Sequence, residues 1–549
     1  MKKIIHFTLA GVIGVAAVSA SVVALAKVGE NKDLSANASQ VGSLAITEVA
    51  ADSMQVEFAS TDKSTPDKVV RDTSDVYEFI EVHNYGETSV NLKNYALKIT
   101  VNGKAYQNAF LVESGNDGVL EQGETCVIFN FTTSSFAYGI NDEYSMNYDT
   151  SENLAAAWAD FNNFYGISIP VTNRVMALSS DTQGKMLSGT AALSNTGECT
   201  VQIVDTTSGN AITKVNYSIS TMGLSHNYVY ETFGGEGEFF CVNGVTPYKL
   251  LREQDPNYSA TYDFSGEKIR LINYNLLFTG YSFASRASCF KDFLTTYNPD
   301  VVALQEIATE WYAYLHEVLP ALGYSYVEVT VQTGGTVPTY HSDSSNPIIY
   351  KTDKFDLVAT GGTFVSETGE MGGPKWDSAN RDRTINYAVL KSKATGNTFN
   401  VLSTHGILTG DQAKLEHGNM AVALANKITA QYGSPSFIMG DMNMNEGSKY
   451  YQNMVNGTGY VDSKYIAKNS TYRLTGASFG RYSYGATDKA APWNQEPSTI
   501  DYIFSPKGTQ VENYKVIDQE YYNVEFEAEY SDRGCHISDH AAVLVDFYM

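Results

Sequence analysis

At 549 residues the chain is longer than one hydrophobic core usually serves, so two or three domains are expected. With 43% hydrophobic and 18% charged residues, and neither a long low-complexity tract nor a repeat array, it is globular rather than fibrous or disordered. A formal charge of −24 excludes a general electrostatic pull on nucleic acid or anionic lipid. The acidity is uneven: residues 1–264 carry 15 basic against 30 acidic residues, and residues 265–549 carry 22 against 31.

The first 26 residues read as an export signal. Lys2 and Lys3 precede an apolar stretch rich in Ala, Val and Ile, and Ala24-Leu25-Ala26 offers the small residues that a signal peptidase inspects. The alternative is an uncleaved anchor, because the stretch is nearly long enough to cross a bilayer. Either way the bulk of the protein is expected outside the cytoplasm, secreted or at the surface of a bacterium. The five cysteines, Cys126, Cys199, Cys241, Cys289 and Cys535, are widely spaced, which argues against a disulfide framework and a zinc–thiolate site; a Cys199–Cys241 pair is conceivable.

Residues 41–250 read as an all-β domain, in keeping with 38 Tyr against 4 Trp. Short alternating runs lie between Gly, Asn and Asp: Leu44–Val49, Glu78–Val82, Ala96–Val101 and Thr125–Phe129. Such spacing predicts a sandwich or barrel. Nothing in this half looks catalytic, and Glu78, Glu81 and His83 are expected to be outward polar residues of an alternating strand.

Three segments, Ile46-Thr-Glu-Val49, Tyr77-Glu-Phe-Ile-Glu-Val-His-Asn84 and Ser89-Val-Asn-Leu-Lys-Asn-Tyr-Ala-Leu97, resemble the lamin-tail domain. The likeness is good to about residue 130 and fades by about 205. It implies an immunoglobulin-like sandwich used for binding or spacing rather than a reaction.

The polar, turn-rich residues 251–266 read as a linker. From 267 to 549 strand-like runs alternate with helical patterns at Phe283–Tyr297, Ala308–Leu322 and Asp411–Tyr432, which predicts a layered α/β domain. In the first helix Phe283, Ala287, Phe290, Leu294 and Tyr297 share a face.

Six apolar runs in this half join a polar cluster. Four end on one: Ile269–Asn275 on Asn275, Val301–Glu306 on Glu306, Asn400–His405 on His405, and Phe437–Asn443 on Asp441 and Asn443. Two begin with one: Asp501 opens Asp501–Phe504, and Asp539-His540 precedes Ala541–Asp546. If the last two strands run antiparallel to the other four, all six clusters meet at one edge. Carboxylates and carboxamides gathered without adjacent Lys or Arg call for a hard cation such as Mg²⁺ or Mn²⁺, and histidines beside it suit acid–base work on a phosphate.

Taken in order, these motifs resemble the endonuclease/exonuclease/phosphatase superfamily, which includes deoxyribonuclease I. Asn346-Pro-Ile-Ile-Tyr-Lys351 and Arg381-Asp-Arg-Thr-Ile-Asn-Tyr387 match its mid-domain signatures. The resemblance implies a four-layer α/β sandwich around two mixed sheets. It also implies residue roles. Glu306 is then the principal metal ligand, supported by Asn275 and Asp539, with Mg²⁺ the expected ion and Mn²⁺ or Ca²⁺ as alternatives. Asp441 and Asn443 position water and a phosphate oxygen, Asp501 orients the base His540, and His405 binds the phosphate or leaving group. Gly406 departs from the aliphatic residue usual after the family's Thr-His.

The leading expectation is an extracellular nuclease acting on DNA or RNA. The alternatives are a phosphatase or sphingomyelinase/phospholipase C-like hydrolase of phospholipid or inositol phosphate, and a non-catalytic surface-binding protein. Tyr350, Lys351, Arg381 and Arg383, with Lys375, are the candidate contacts to a nucleic-acid substrate.

Overall fold

The computed structural model describes residues 38–40, 43–51, 78–131, 151–178, 193, 198–218, 225–230, 236–242, 246–251, 254–255, 258–277, 283–307, 309–327, 346–377, 382–446, 448–470, 499–517 and 537–549. The export signal, Arg381, Cys535 and the Cys241 side chain fall outside them. No described helix is long and apolar enough to cross a membrane.

The N-terminal part is β-rich. Eleven described strands, from Ala38–Gln40 to Glu236–Val242, form one hydrogen-bonded ladder that closes into a barrel when Ala38–Gln40 pairs with Glu236–Val242. Two separate sheets, as in a sandwich, are therefore replaced by a continuous ladder without open edges. Alternating residues such as Ile46, Ile80, Val82, Leu97, Ile99 and Ile128 fill one core cluster. The other face of two strands is covered by a helix that the strand-like texture of this half did not foretell. In Ser151–Tyr165, the side chains of Leu154, Ala157, Trp158, Phe161 and Tyr165 recur at helical spacing and pack on Phe79, Val127 and Phe129.

Glu78, Glu81 and His83 are buried, against the expectation of outward side chains. Glu81 does lie opposite Ile80 and Val82, but that face is covered by the chain leaving the barrel. Glu81 accepts hydrogen bonds from Thr47 Oγ1 (2.7 Å) and Lys249 N (3.0 Å), and Glu48 accepts from Thr246 N and Oγ1 (both 3.0 Å). Glu78 accepts from Asn130 Nδ2 and Leu193 N.

Where residues 251–266 are described, several are packed. Leu251 is buried in a core cluster with Ile269 and Leu271, and Gln254 Nε2 donates to Thr47 O at 2.7 Å. The Lys249 ammonium lies 4.2 Å from the Tyr465 ring centre, and Asn456 Nδ2 donates to Gly166 O. Barrel and C-terminal part thus touch along a built contact within one compact unit, residues 36–549.

The C-terminal part is α/β with two mixed sheets. The seven-stranded sheet runs in the order 324–327, 348–351, 301–305, 268–275, 542–548, 510–517, 469–470; the six-stranded sheet runs 355–364, 384–392, 398–405, 436–441, 501–506, 460–462. Period-2 alternation sends Ile269, Leu271, Val301, Ala303, Phe399, Val401, Phe437 and Met439 into the space between the sheets. The intervening residues face the helices: Ile272 and Leu304 meet Phe290 and Trp311 of Phe283–Tyr297 and Thr309–Ala321, while Leu402 and Ile438 meet Ala421 and Ile428 of Asp411–Tyr432. Ala287, Phe290 and Leu294 of the first helix are buried on one face as the periodicity predicts.

Candidate active site

The row that faces the neighbouring sheet is apolar along most of each strand and turns polar at one end. After Ile269 and Leu271 it continues with Asn273 and Asn275. Val301 and Ala303 lead to Gln305, Phe399 and Val401 lead to Ser403 and His405, and Phe437 and Met439 lead to Asp441. Strand direction gathers these ends. Lys268–Asn275 is parallel to Val301–Gln305 and antiparallel to Ala542–Tyr548, while Ser436–Asp441 is parallel to Thr398–His405 and antiparallel to Asp501–Pro506. His405 is in register with Asp441, and Asp441 with Asp501. The antiparallel return of two strands, expected from motif order, is what the structure shows.

Two clusters share Asp441. Ligand-type atoms of Glu306, His405 and Asp441 lie within 4.8 Å of one another, and so do those of Asp441, Asp501 and His540. His540 Nδ1 is 2.8 Å from Asp501 Oδ2, and its Nε2 is 3.7 Å from Asp441 Oδ2 and 3.9 Å from Asp539 Oδ1. Burial opposes a charge on His540, but Asp501, Asp441 and Asp539 overcome it and raise its pKa to about 10. Burial likewise lifts Asp441, partly offset by His540, to about 6. These carboxylates therefore hold a proton on His540, and a divalent cation drawing on the charge of Asp441 and Asp539 would weaken that hold, as a base would require.

Asp501 is fixed from behind. Asn273 Nδ2 is 3.4 Å from Asp501 Oδ1, and Gln305 Nε2 donates to Asn273 Oδ1 at 3.0 Å, a chain of amides across both sheets. His405 is oriented by Arg383, whose Nη1 lies 2.9 Å from His405 Nδ1. A guanidinium can only donate, so Nδ1 accepts and Nε2 carries the hydrogen, 3.3 Å from Asp441 Oδ2. Asn275 donates from Nδ2 to Asp441 Oδ2 (2.9 Å) and Glu306 Oε1 (3.2 Å), while its Oδ1 accepts from Leu277 N. In this arrangement Asn275 is a donor that aims two carboxylates, in place of the direct ligand that the family pattern allows.

The backbone at the strand ends is strained. Leu277, Glu306 and Asn443 adopt positive φ of 55°, 60° and 48°. Side chains with a Cβ rarely do so, and the cost is about 1–3 kcal/mol each. Asn443 is held by Asp441 Oδ1, which accepts its N–H, and by Gly406 O, which accepts from its Nδ2. Gly406 itself explains the departure noted in the sequence, since a Cβ there would lie 2.0 Å from Met442 O. The chain after His405 passes directly over the backbone between Asp441 and Asn443, so only glycine fits.

Tyr350 and Lys351 are not at this site. Their strand runs antiparallel to Val301–Gln305, with Tyr350 opposite Val301 and Lys351 N bonded to Asp300 O, at the sheet edge away from Glu306. Five strand residues separate the two ends, roughly 16 Å. Lys351 is also paired with Asp300, and Lys375 with Asp382. Of the proposed cations, Arg383 is the one whose described contacts reach the catalytic residues. The supporting roles of Asn273 and Gln305, missed from motifs alone, were signalled by their parity with Asn275 and with Ala303.

Residues 272–540 match the model of the Endonuclease/Exonuclease/phosphatase family. The C-terminal half is a catalytic domain of that superfamily. Similar solved structures include an endonuclease/exonuclease/phosphatase family protein from Bacteroides thetaiotaomicron, at 23% identity and TM-score 0.43 over 52% of this chain and 96% of that one. A mannosyl-6-phosphatase of the same species has 23% identity and TM-score 0.43 over 51% of this chain and 100% of its own. The human Nocturnin catalytic domain has 17% identity and TM-score 0.37 over 52% and 96%. No curated protein matches the chain.

The catalytic domain has a metal-binding phosphoesterase site. The donor set fits a divalent cation: buried Asp441 and half-buried Glu306 turn carboxylate oxygens to the same place, where they meet the Asn275 and His405 N–H groups. Such a cation, when bound, neutralises the non-bridging oxygens of a phosphate ester. Beside these carboxylates His405 carries an N–H at Nε2, and the Asp501–His540 pair lies against Asp441.

Proposed function

We propose that the protein is an exported, Mg²⁺-dependent phosphodiesterase whose substrate is nucleic acid, cut by attack of water on the backbone phosphate. The observation that carries this reading is the Asp501–His540–Asp441 relay lying against the Glu306–His405–Asp441 cluster at one sheet edge. Glu306 and Asp539 are the ligands for Mg²⁺, with Mn²⁺ as a substitute, and Asn275 steers Glu306 and Asp441. Asp441 and Asn443 place the water and one phosphate oxygen, and His540 takes the water's proton under the control of Asp501. His405, backed by Arg383, binds the phosphate or leaving group. The test is side-by-side hydrolysis of plasmid DNA, RNA, sphingomyelin and inositol phosphates, with Mg²⁺ and with EDTA. Nucleic-acid cleavage that EDTA abolishes supports the reading; lipid or inositol phosphate turnover with neither nucleic acid cut overturns it.

A second reading, a phosphatase or lipid-headgroup hydrolase, draws support from the ion pairs of Lys351 and Lys375 and from the acidity of residues 265–549, which leave little basic surface for a long polyanion. Under either reading the barrel is a lamin-tail-type spacing or binding module. Export rests on residues 1–26, and protein recovered from culture medium should begin at Lys27; an intact Met1 on membrane-bound protein would instead mark an anchor.

A further inference from the structure

A buried arginine lies beneath two of the loops that carry the proposed metal site. Arg286, on the helix Phe283–Tyr297, is about 1% exposed. Its Nη2 donates to Leu276 O (2.5 Å) and Leu277 O (2.6 Å), directly after Asn275, and its Nε donates to Ile537 O (2.7 Å), two residues before Asp539. Trp311 Nε1 reaches the same Leu277 carbonyl at 3.1 Å, and the guanidinium carbon sits 5.5 Å from the Trp311 ring centre. Leu277 is the residue with φ of 55°, a conformation that a leucine does not hold without support.

We infer that Arg286 is a positioning residue for the metal site, the clamp that holds the loop after Asn275 and the loop before Asp539 at a fixed separation. These loops come from opposite ends of the catalytic domain's sequence and share no helix or turn. The planar guanidinium bonds carbonyls of both at once, in a way that a lysine ammonium cannot reproduce with the same rigidity. Leu277 N donates to Asn275 Oδ1, so the carbonyl clamp sets the rotation of Asn275 and hence the aim of its Nδ2 at Glu306 and Asp441. On the other side, Ser538 Oγ donates to Asp539 Oδ1 and accepts from His540 N, so the position of Ile537 is passed to both residues.

The inference rests on the reading of Glu306 and Asp539 as ligands, and the experiment separates the two. Mn²⁺ binding is measured by calorimetry and electron paramagnetic resonance on the full chain, wild type against Arg286→Met, with near-ultraviolet circular dichroism to confirm the fold. Wild type that binds no Mn²⁺ would sink the ligand reading itself. With wild type binding, Arg286→Met is expected to bind about tenfold or more weakly, as for other groups that orient ligands from behind. The Mn²⁺-induced rise in melting temperature should shrink in step, which a purely structural loss would not cause. A folded Arg286→Met with wild-type Mn²⁺ affinity overturns the clamp. If that variant does not fold, Arg286→Lys and Trp311→Phe decide: each should weaken Mn²⁺ binding by a few fold, Lys the less, and wild-type affinity in both overturns the proposal.

Discussion

Barrel and catalytic domain both bury carboxylates, and they dispose of them in opposite ways. In the barrel, Glu48 and Glu81 are met by donors of their own chain: the Thr246 and Lys249 amides and the Thr47 and Thr246 hydroxyls. Those acids are spent on fixing the segment that leaves the barrel. In the catalytic domain, Asp441 faces Glu306 and His405 on one side and Asp501 and His540 on the other, with Asp539 3.9 Å from His540, and Asn275 supplies N–H groups to Glu306 and Asp441. Burial and residue type are shared, so neither separates structure from function. The partners do: an acid met by the amides and hydroxyls of the segment it fixes is a strut, and acids gathered with histidines at the end of several strands form a site for a cation and a substrate.

The sharpest break should come at the relay. His540→Ala and Asp501→Asn are expected to lower turnover by about 10²–10⁴-fold while leaving the melting temperature close to wild type. In a double-mutant cycle the pair should lose little more than either alone, because it acts as one unit. Near-wild-type turnover in His540→Ala would remove it from the role of base. Glu306→Gln, which keeps shape and loses charge, should be of similar severity and should raise the Mg²⁺ concentration needed for half-activity; activity that survives both this change and EDTA would end the metal reading. The matching barrel changes, Glu48→Gln and Glu81→Gln, should leave turnover unchanged.

A smaller effect is expected at Gly406. A Cβ there meets Met442 O at 2.0 Å, so Gly406→Ala must push the backbone between Asp441 and Asn443. A displacement near 1 Å in a reacting group can cost about 10²-fold. The loss should fall on turnover more than on substrate binding, measured as kcat against KM on a small soluble diester. Unchanged kcat would mean that the loop yields without moving Asp441.

What could be foreseen in the amino-acid order differs between the halves for the same reason. In the catalytic domain the period-2 row Ile269, Leu271, Asn273, Asn275 states both the burial of the strand and the place where its chemistry starts, and the reversed order at Asp501 and Asp539 states strand direction. Direction also explains the error at Tyr350 and Lys351: a motif can fall on a strand whose relevant end is the other one, here Asn346. Arg286 was invisible, because its partners are main-chain carbonyls and any helix position could carry an arginine. In the barrel, the runs Leu44–Val49 and Thr125–Phe129 fall one and two residues short of the strands Leu44–Ala50 and Thr125–Phe131, whereas the burial of Glu81 depends on a segment 168 residues away that covers its face.

The smallest effect concerns Glu81, and it reads out as stability rather than turnover. Burial, then the charge of Glu48, raises its pKa from 4.5 to about 8, against the hydrogen bonds from Thr47 and Lys249. The folded state therefore binds this proton more tightly than the unfolded chain. Its stabilising contribution is complete below about pH 4.5 and is lost as pH rises toward 8. His83 works in the opposite sense, since burial lowers its pKa from 6.5 to about 4 despite Asp255, and folding then gains stability as pH rises through that range. Glu446 in the catalytic domain, raised by burial to about 7, adds to the loss at its own site. Between pH 7 and pH 8 His83 has finished titrating, whereas Glu446, near 7, and His540, near 10, contribute to the slope of wild type and variant alike, so the difference between the two proteins reports Glu81. There the wild-type melting temperature should fall with pH by a few degrees, and Glu81→Gln should make the fall shallower. The amide can meet the same partners: its carbonyl accepts from Lys249 N, and its NH₂ donates to the Thr47 hydroxyl, which then accepts. Calorimetry of the two proteins at closely spaced pH checks this, and an equal slope in both would show that Glu81 is not the group that titrates.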